Sequence, residues 1–155
     1  MDRQAMMQAM KNSISEVLEQ MFFLPLDFME PSSGNGEIQT GQDDLVVRLG
    51  FSGTLTGGFL LSVTNELAWS ATQDFLGVDS AAVDFDKVEG TVREMINMLA
   101  GNVLSHYDGE AVFDLEMPER TKPSVVQDLL AQAPDSIGLV INTPDGRMYF
   151  NLVMA

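Results

Sequence analysis

Residues 86–106 read DKVEGTVREMINMLAGNVLSH, and the spacing of their apolar side chains decides the fold. Apolar residues recur at intervals of three and four positions, which is the period at which side chains return to one side of an α-helix. The pattern therefore predicts a long amphipathic helix from about residue 86 to residue 106, packed through one face. The predicted buried stripe consists of Val88, Val92, Met95, Ile96, Leu99 and Val103.

The opposite side of this helix carries a polar pair, Glu94 and Asn97. Being three positions apart, the two side chains are neighbours on the helix surface. The residues predicted to surround them are small or flexible: Gly90, Met98, Gly101 and Ser105. A glycine inside a helix costs on the order of 1 kcal/mol relative to alanine, so the two glycines call for a reason. One reason is that another macromolecule approaches the pair closely.

Periodicity alone leaves a second interpretation of this face open. An exposed glutamate and asparagine on a helix most often form only a solvated surface. Gly90 and Gly101 could instead admit a neighbouring strand of the same protein.

The sequence before residue 86 predicts two more helices and three strands. A first amphipathic helix is predicted over residues 4–22, ending before Pro25 and Pro31. Its predicted buried face consists of Met7, Met10, Ile14, Val17, Leu18 and Met21. A turn cluster at 32–36 precedes predicted strands at 37–40, 45–51 and 59–63, with a turn at 41–44. A helix over 66–76 follows, with Asn65 as its predicted N-cap and Gly77 at its end.

The sequence after residue 106 predicts more strands and one short helix. A strand is predicted over 111–117 and is closed by Pro118, and a helix over 123–133 begins with proline. Strands at 137–142 and 148–154 flank the turn sequence Thr-Pro-Asp-Gly-Arg. The order of elements predicts an α+β fold, with a mainly antiparallel sheet covered by helices in a single domain over residues 1–155.

Composition excludes several classes of function. The 155 residues have a formal net charge of −15, which disfavours nucleic acid and anionic membranes as partners. With no cysteine, the chain has neither disulfides nor thiolate zinc sites. No apolar run reaches the roughly 20 residues of a membrane span, and the N-terminal residues do not resemble a signal peptide. We therefore expect a cytoplasmic protein.

Other catalytic or metal-binding chemistries find little support in the sequence. His106 is the sole histidine, and its position near a predicted helix end favours a structural role. The acidic stretch 84–89 lacks the glycine and glutamate positions of a calcium loop, and is better placed to stabilise the start of the helix. Residues 54–58 are glycine-rich but lack the Gly-Lys-Ser/Thr of a phosphate loop, so they favour a hairpin.

The helix also carries a longer motif, EMINMLAGN at 94–102. This string resembles the signature of the CheX/CheC chemotaxis phosphatases, in which two residues separate Glu from Asn and three more residues precede Gly-Asn. Upstream, the spacing of Gly53 and Gly57 before the apolar run 59–61 is similar to the family's sheet hairpin, and Pro118 is similarly placed. The resemblance covers roughly residues 10–153. No second Glu-x-x-Asn occurs, so the chain resembles the one-site CheX type.

This resemblance implies a CheC-like fold and an enzymatic function. The chain would dephosphorylate a CheY-like response regulator, with Glu94 pairing with the receiver's lysine and Asn97 orienting the attacking water. Gly90, Met98, Gly101 and Ser105 would form the surface that docks on the receiver. The chain would need no metal or cofactor of its own, because the receiver brings the phosphoaspartate and Mg²⁺. A homodimer joined through the sheets is also implied. A non-catalytic module of the same fold, docking on a receiver or a flagellar-switch component, is the alternative.

Overall fold

The structure is a computed structural model that describes residues 1–32 and 40–155. Within these residues the chain forms four α-helices and seven strands. The helices are α1 (Arg3–Ile14), α2 (Asn65–Leu76), α3 (Phe85–Tyr107) and α4 (Pro123–Ala131). The strands are β1 (Phe28–Pro31), β2 (Leu45–Ser52), β3 (Gly57–Val63), β4 (Asp114–Leu115), β5 (Glu119–Thr121), β6 (Ile137–Thr143) and β7 (Gly146–Met154).

The strands form one antiparallel sheet, in the order β1-β6-β7-β3-β2. Both β4 and β5 pair with the outer side of β2. Hairpins join β2 to β3 and β6 to β7, and the β3–β7 ladder connects the two hairpins. This architecture confirms the predicted α+β class with an antiparallel sheet covered by helices.

The main core lies between the sheet and three helices. Helix α3 packs against α1, α2 and strands β2 and β3. All six residues of its predicted apolar stripe are buried in this core. Helix α4 covers part of the other side of the sheet, where Val126 and Leu130 pack against Val46, Leu60 and Tyr149. Because the sheet holds α3 by its apolar stripe, the orientation of its opposite face is fixed.

The first helix departs from the prediction near its end. After α1 the chain forms a π-helical turn, Ser15–Glu19, before the helix ends. A π turn inserts one extra residue, which shifts every later side chain around the axis. Met21, predicted to be buried, is 45% exposed, whereas Phe22 is fully buried and stacks on Phe75 with ring centroids 4.6 Å apart. The prediction for Met21 was therefore wrong.

The predictions for residues 32–44 were tested only in part. The predicted strand at 37–40 and most of the turn cluster at 32–36 fall on positions 33–39, outside the described residues. Thr40 is described and is not in a strand. The turn at 41–44 is confirmed by a hydrogen bond from the Asp44 N–H to the Gly41 carbonyl, 3.2 Å.

The edge strand β1 was not predicted. It pairs with β6 at one edge of the sheet and ends at Pro31. A proline lacks the N–H that a central strand needs but is tolerated at an edge, so Pro31 is compatible with this position.

The region after α3 is less regular than predicted. Only Asp114–Leu115 of the predicted strand at 111–117 pairs with β2. A separate strand, β5, follows beyond Pro118 and was missed. The interruption places two short strands one after the other along the same edge of β2, where one long strand was predicted.

The cap of α2 was also predicted one residue too late. Thr64 occupies the N-cap position, and its hydroxyl accepts a hydrogen bond from the Arg147 N–H of β7 instead of capping the helix. Asn65 lies inside the first turn, where its side-chain oxygen accepts from the Trp69 ring N–H. Gly77 ends the helix in a left-handed conformation (φ 67°), as predicted.

Candidate functional site

Helix α3 has the termini of a stable helix. Asp84 caps its start by accepting a hydrogen bond from the Lys87 N–H at 2.9 Å, and Asp86 places a negative charge in the first turn. The acidic stretch before α3 thus stabilises the helix N-terminus. At the other end, the Asp108 N–H donates to the Leu104 carbonyl at 2.9 Å. The candidate residues lie in the middle of this helix, on a rigid support.

Glu94 and Asn97 both lie exposed on the outer side of α3. The residues between them, Met95 and Ile96, are fully buried, and this contrast sets the orientation of the pair. Within the described residues, neither Glu94 nor Asn97 makes a side-chain hydrogen bond or an ion pair. Both polar groups are therefore available to a partner.

The surroundings of the pair are open. A Cβ atom built on Gly90 or on Gly101 would meet no other described atom within 4 Å. The alternative that these glycines admit a neighbouring strand is therefore wrong. Ser105 is exposed and Met98 is partly buried, so they extend the same face. The surface formed by Gly90, Glu94, Asn97, Met98, Gly101 and Ser105 is called the docking face below.

The basic side chains of α3 are held by the body of the protein rather than by this face. Arg93 donates to the Pro118 carbonyl at 3.1 Å and lies 3.5 Å from the Glu89 carboxylate. Lys87 donates its ammonium to the Ala82 carbonyl at 2.7 Å. The charge that α3 presents at the centre of its docking face is consequently the carboxylate of Glu94.

His106 connects the end of α3 to the π-helical turn. Its Nε2 lies 3.0 Å from the Glu16 carboxylate. The hydrogen bond from His106 holds the pKa of Glu16 below its ordinary value, and charge attraction to the same ring adds to the effect. This contact links α3 to the π-helical turn, which is consistent with the structural role predicted for His106.

A groove that the sequence did not reveal adjoins the docking face. It has a volume of about 180 Å³ and lies between the C-terminal half of α3 and residues 108–115. Its walls depend on how two segments pack, so no local pattern predicts it. The nearest sequence signal is the apolar residues Phe113 and Leu115, which alternate with polar ones.

The side chains of the docking face can bind and orient a partner group through hydrogen bonds. An ionised carboxylate only accepts hydrogen bonds, whereas a carboxamide both donates and accepts. No group of three or more acidic, histidine or cysteine side chains suited to holding a metal ion occurs among residues 1–32 and 40–155. The same residues contain no helix both long and apolar enough to cross a membrane.

Solved structures share this fold over nearly the whole chain. A CheX–CheY–BeF3–Mg²⁺ complex from Borrelia burgdorferi matches with a TM-score of 0.73 and 18% identity, covering 95% of this chain and 96% of that one. The chemotaxis protein CheX from Vibrio vulnificus matches at 0.72 and 19%, covering 100% and 99%. CheX from Desulfovibrio desulfuricans matches at 0.72 and 14%, covering 97% and 99%. At these identities the similarity establishes the fold.

The family follows from the sequence comparison. No curated protein matches the chain. The family described as "Chemotaxis phosphatase CheX" matches residues 45–128, which is more than half of the 155 positions and includes all of α3 with Glu94 and Asn97. The chain therefore belongs to the CheX family of chemotaxis phosphatases.

Proposed function

We propose that this protein hydrolyses the phosphoaspartate of a CheY-like receiver, with Glu94 anchoring the receiver and Asn97 positioning the attacking water. The observation that carries the proposal is the state of these two residues: both are exposed, adjacent and without side-chain partners in the described chain. The open space at Gly90 and Gly101 leaves room for a receiver to approach on either side.

The reaction requires little covalent chemistry from the protein. An aspartyl phosphate is an acyl phosphate, and water attacks its phosphorus in line with the bond to the aspartate oxygen. That bond breaks, giving inorganic phosphate and a free carboxylate, while the water loses its protons to solvent or phosphate. The side-chain oxygen of Asn97 accepts a hydrogen bond from the water, and the amide N–H group donates to a phosphoryl oxygen. Positioning by an uncharged group works without a change of protonation state.

Glu94 sets the register of the complex. Its carboxylate accepts charge-assisted hydrogen bonds from a lysine ammonium in the receiver's phosphorylation pocket. Since Asn97 is the next exposed residue on the same face, this contact brings the carboxamide to the phosphoryl group. The metal ion that neutralises the phosphate charge belongs to the receiver in this proposal, and this chain contributes no ligand to it.

Two findings support the assignment. The chain belongs to a family of chemotaxis phosphatases. A protein of the same fold has been crystallised as a CheX–CheY–BeF3–Mg²⁺ complex. A receiver is therefore the partner class that fits the docking face, and a CheY-like receiver is the first to be tested.

The test measures phosphoryl loss from a panel of purified CheY-like receivers, with and without this protein. We expect the wild type to shorten the lifetime of at least one phosphorylated receiver. Asn97→Ala should reduce this acceleration by about 10²- to 10³-fold, the usual cost of losing one well-aimed polar group. Asn12→Ala is the matched control, because Asn12 is an exposed helical asparagine on α1. Wild-type speed in Asn97→Ala would refute the role of Asn97, and an unchanged or extended lifetime with every receiver would favour the non-catalytic binding module.

A further inference from the structure

The groove beside α3 is continuous with the docking face. It begins at Gly101, one helical turn after Asn97, so a partner that reaches Asn97 also covers the groove. Its volume of about 180 Å³ is enough for a single large side chain. The residues that shape it are Gly101, Leu104, Ser105, Asp108, Phe113 and Leu115.

One wall of the groove is formed by apolar side chains. Leu104 forms its base and is nearly buried. Phe113 is held edge-on against Phe51, with ring centroids 6.1 Å apart, so its position is fixed by the core. Leu115 is 38% exposed although its strand pairs with β2. A hydrocarbon chain lying in the groove would remove these side chains from water.

The other rim is polar and negatively charged. Ser105 contributes a hydroxyl group, and Asp108 a carboxylate. Oδ1 of Asp108 accepts hydrogen bonds from the N–H groups of Glu110 and Ala111, each at 3.3 Å, which orients the side chain. Within the described chain its second oxygen has no hydrogen-bond partner, and no ion pair neutralises the carboxylate.

We infer that this groove takes one long basic side chain, a lysine or arginine, from the receiver that docks on Glu94 and Asn97; the inference rests on the function proposed above. Such side chains lay their methylene groups along apolar surface and keep the charged end at a polar rim. Here the methylenes contact Phe113 and Leu115, and the charge meets Asp108. The groove thereby selects receivers that carry a basic residue beside the phosphorylation site.

Other occupants fit less well. A purely apolar side chain would cover Asp108 without pairing its charge, which costs free energy. An acidic side chain would be repelled by the same carboxylate and by a chain whose net charge is −15. The lysine and the arginine of α3, Lys87 and Arg93, are held elsewhere by carbonyl groups, and His106 is paired with Glu16, so the basic side chains of α3 do not fill the groove themselves.

The experiment compares two groove variants with two controls. Asp108→Asn removes the charge but keeps an oxygen for the two backbone N–H groups, and Leu115→Ser removes one of the apolar side chains of the wall. Glu110→Gln and Val112→Ser are the controls, because both side chains are exposed (Val112 82%) and neither lines the groove. The dissociation constant is measured for purified CheY-like receivers loaded with BeF3⁻ and Mg²⁺, and kcat and KM are measured with the phosphorylated receivers.

We expect each groove variant to weaken binding about 3- to 10-fold and to raise KM, with kcat unchanged. Asp108→Asn should also reduce the dependence of binding on salt. The controls should stay within about twofold of wild type. Replacing the receiver's basic residues near its phosphorylation site by methionine, one at a time, should identify one replacement that abolishes the difference between wild type and Asp108→Asn.

Three results would overturn the inference. Groove variants that bind the receiver as tightly as the controls would refute the role of the groove. The proposed function would still stand if the wild type dephosphorylates the receiver and Asn97→Ala does not. If Asp108→Asn still weakens binding to every one of the methionine-substituted receivers, the Asp108 carboxylate acts within its own chain and not on a receiver side chain. A wild-type protein that neither binds nor dephosphorylates any receiver would refute both proposals.

Discussion

At the scale of single residues, the two members of the proposed site differ in what they offer. Glu94 carries a charge and Asn97 does not, so in the proposed function Glu94 contributes to the affinity for the receiver and Asn97 to turnover. Neither residue makes a side-chain hydrogen bond or an ion pair in the described chain. Substitution of either side chain should therefore change the free energy of unfolding little, since exposed positions without such partners usually tolerate change.

The contact between Glu16 and His106 yields a prediction about pH. The hydrogen bond from His106 lowers the pKa of Glu16 from its ordinary value of 4.5, so in His106→Ala this pKa should rise towards 4.5. A depressed carboxyl pKa stabilises the fold above the unfolded-state pKa, and this stabilisation is lost as the pH falls through the lower, folded-state value. The measurement is a carboxyl ¹³C NMR titration of Glu16 in both proteins.

The matched control for this titration is Ser105→Ala, which alters the neighbouring residue but leaves the imidazole in place. The pKa of Glu16 should not change in that variant. An equal Glu16 pKa in wild type and His106→Ala would show that the ring does not cause the shift.

At the scale of elements, helix α3 combines stability with an open face. Its apolar stripe holds the sheet and the neighbouring helices together, while its two interior glycines weaken the helix. Since a Cβ at Gly90 or Gly101 meets no described atom within 4 Å, the glycines serve no contact inside the described chain. Their cost is instead compatible with a requirement for close approach by a partner.

This reasoning gives a prediction in which stability and function move in opposite directions. Gly101→Ala should raise the free energy of unfolding by about 0.5–1 kcal/mol, because alanine favours the helix and the site is open. Gly101→Leu should also be at least as stable as wild type, since leucine is a good helix former. Leucine, however, should slow dephosphorylation more than alanine does by obstructing the docking face. Urea unfolding and phosphoryl-lifetime measurements provide the two readouts.

Ala131→Leu is the control for bulk on an exposed helix position away from the docking face, and it should leave dephosphorylation unchanged. A Gly101→Leu protein with full activity would refute the requirement for space at this position. Loss of stability in Gly101→Ala would instead indicate that the glycine is needed by the fold.

How far the sequence predicted each element depends on where its determinants lie. Helix α3, its buried stripe and the exposure of Glu94 and Asn97 follow from local periodicity, which is why they were predictable. The π turn before Phe22, the edge strand β1 and the short strand β5 depend on contacts with distant segments, so local patterns missed them. The groove at Asp108 and Leu115 depends on packing between a helix and a loop, and no spacing rule encodes it.

At the scale of the whole molecule, both edges of the sheet are formed by short strands. Strand β1 at one edge is short and ends in proline, and β4 and β5 divide the other edge. Short or interrupted edge strands limit uncontrolled pairing with other chains. A homodimer formed through the sheets would therefore use a small set of backbone hydrogen bonds supported by side-chain contacts.

We expect this dimer to form and to be strengthened by salt. Each copy has a net charge of −15, so two copies repel one another at pH 7. Raising the ionic strength from about 0.05 M to about 0.5 M shortens the Debye length severalfold and screens this repulsion. The dissociation constant of the dimer, measured by sedimentation equilibrium, should accordingly fall as sodium chloride is added.

A control must distinguish the screening of charge repulsion by salt from the general strengthening of apolar contacts by salt. Replacing sodium chloride with sucrose at matched osmolality changes excluded volume without screening, and the dissociation constant should then fall much less. We expect the proposed receiver complex to respond in the opposite direction, because salt screens the attraction of basic receiver side chains to Glu94 and Asp108. Salt should therefore favour the dimer while it disfavours the receiver complex. A chain that remains monomeric at every salt concentration would show that the sheet edges do not pair, and a dimer weakened by salt would show that opposite charges hold it together.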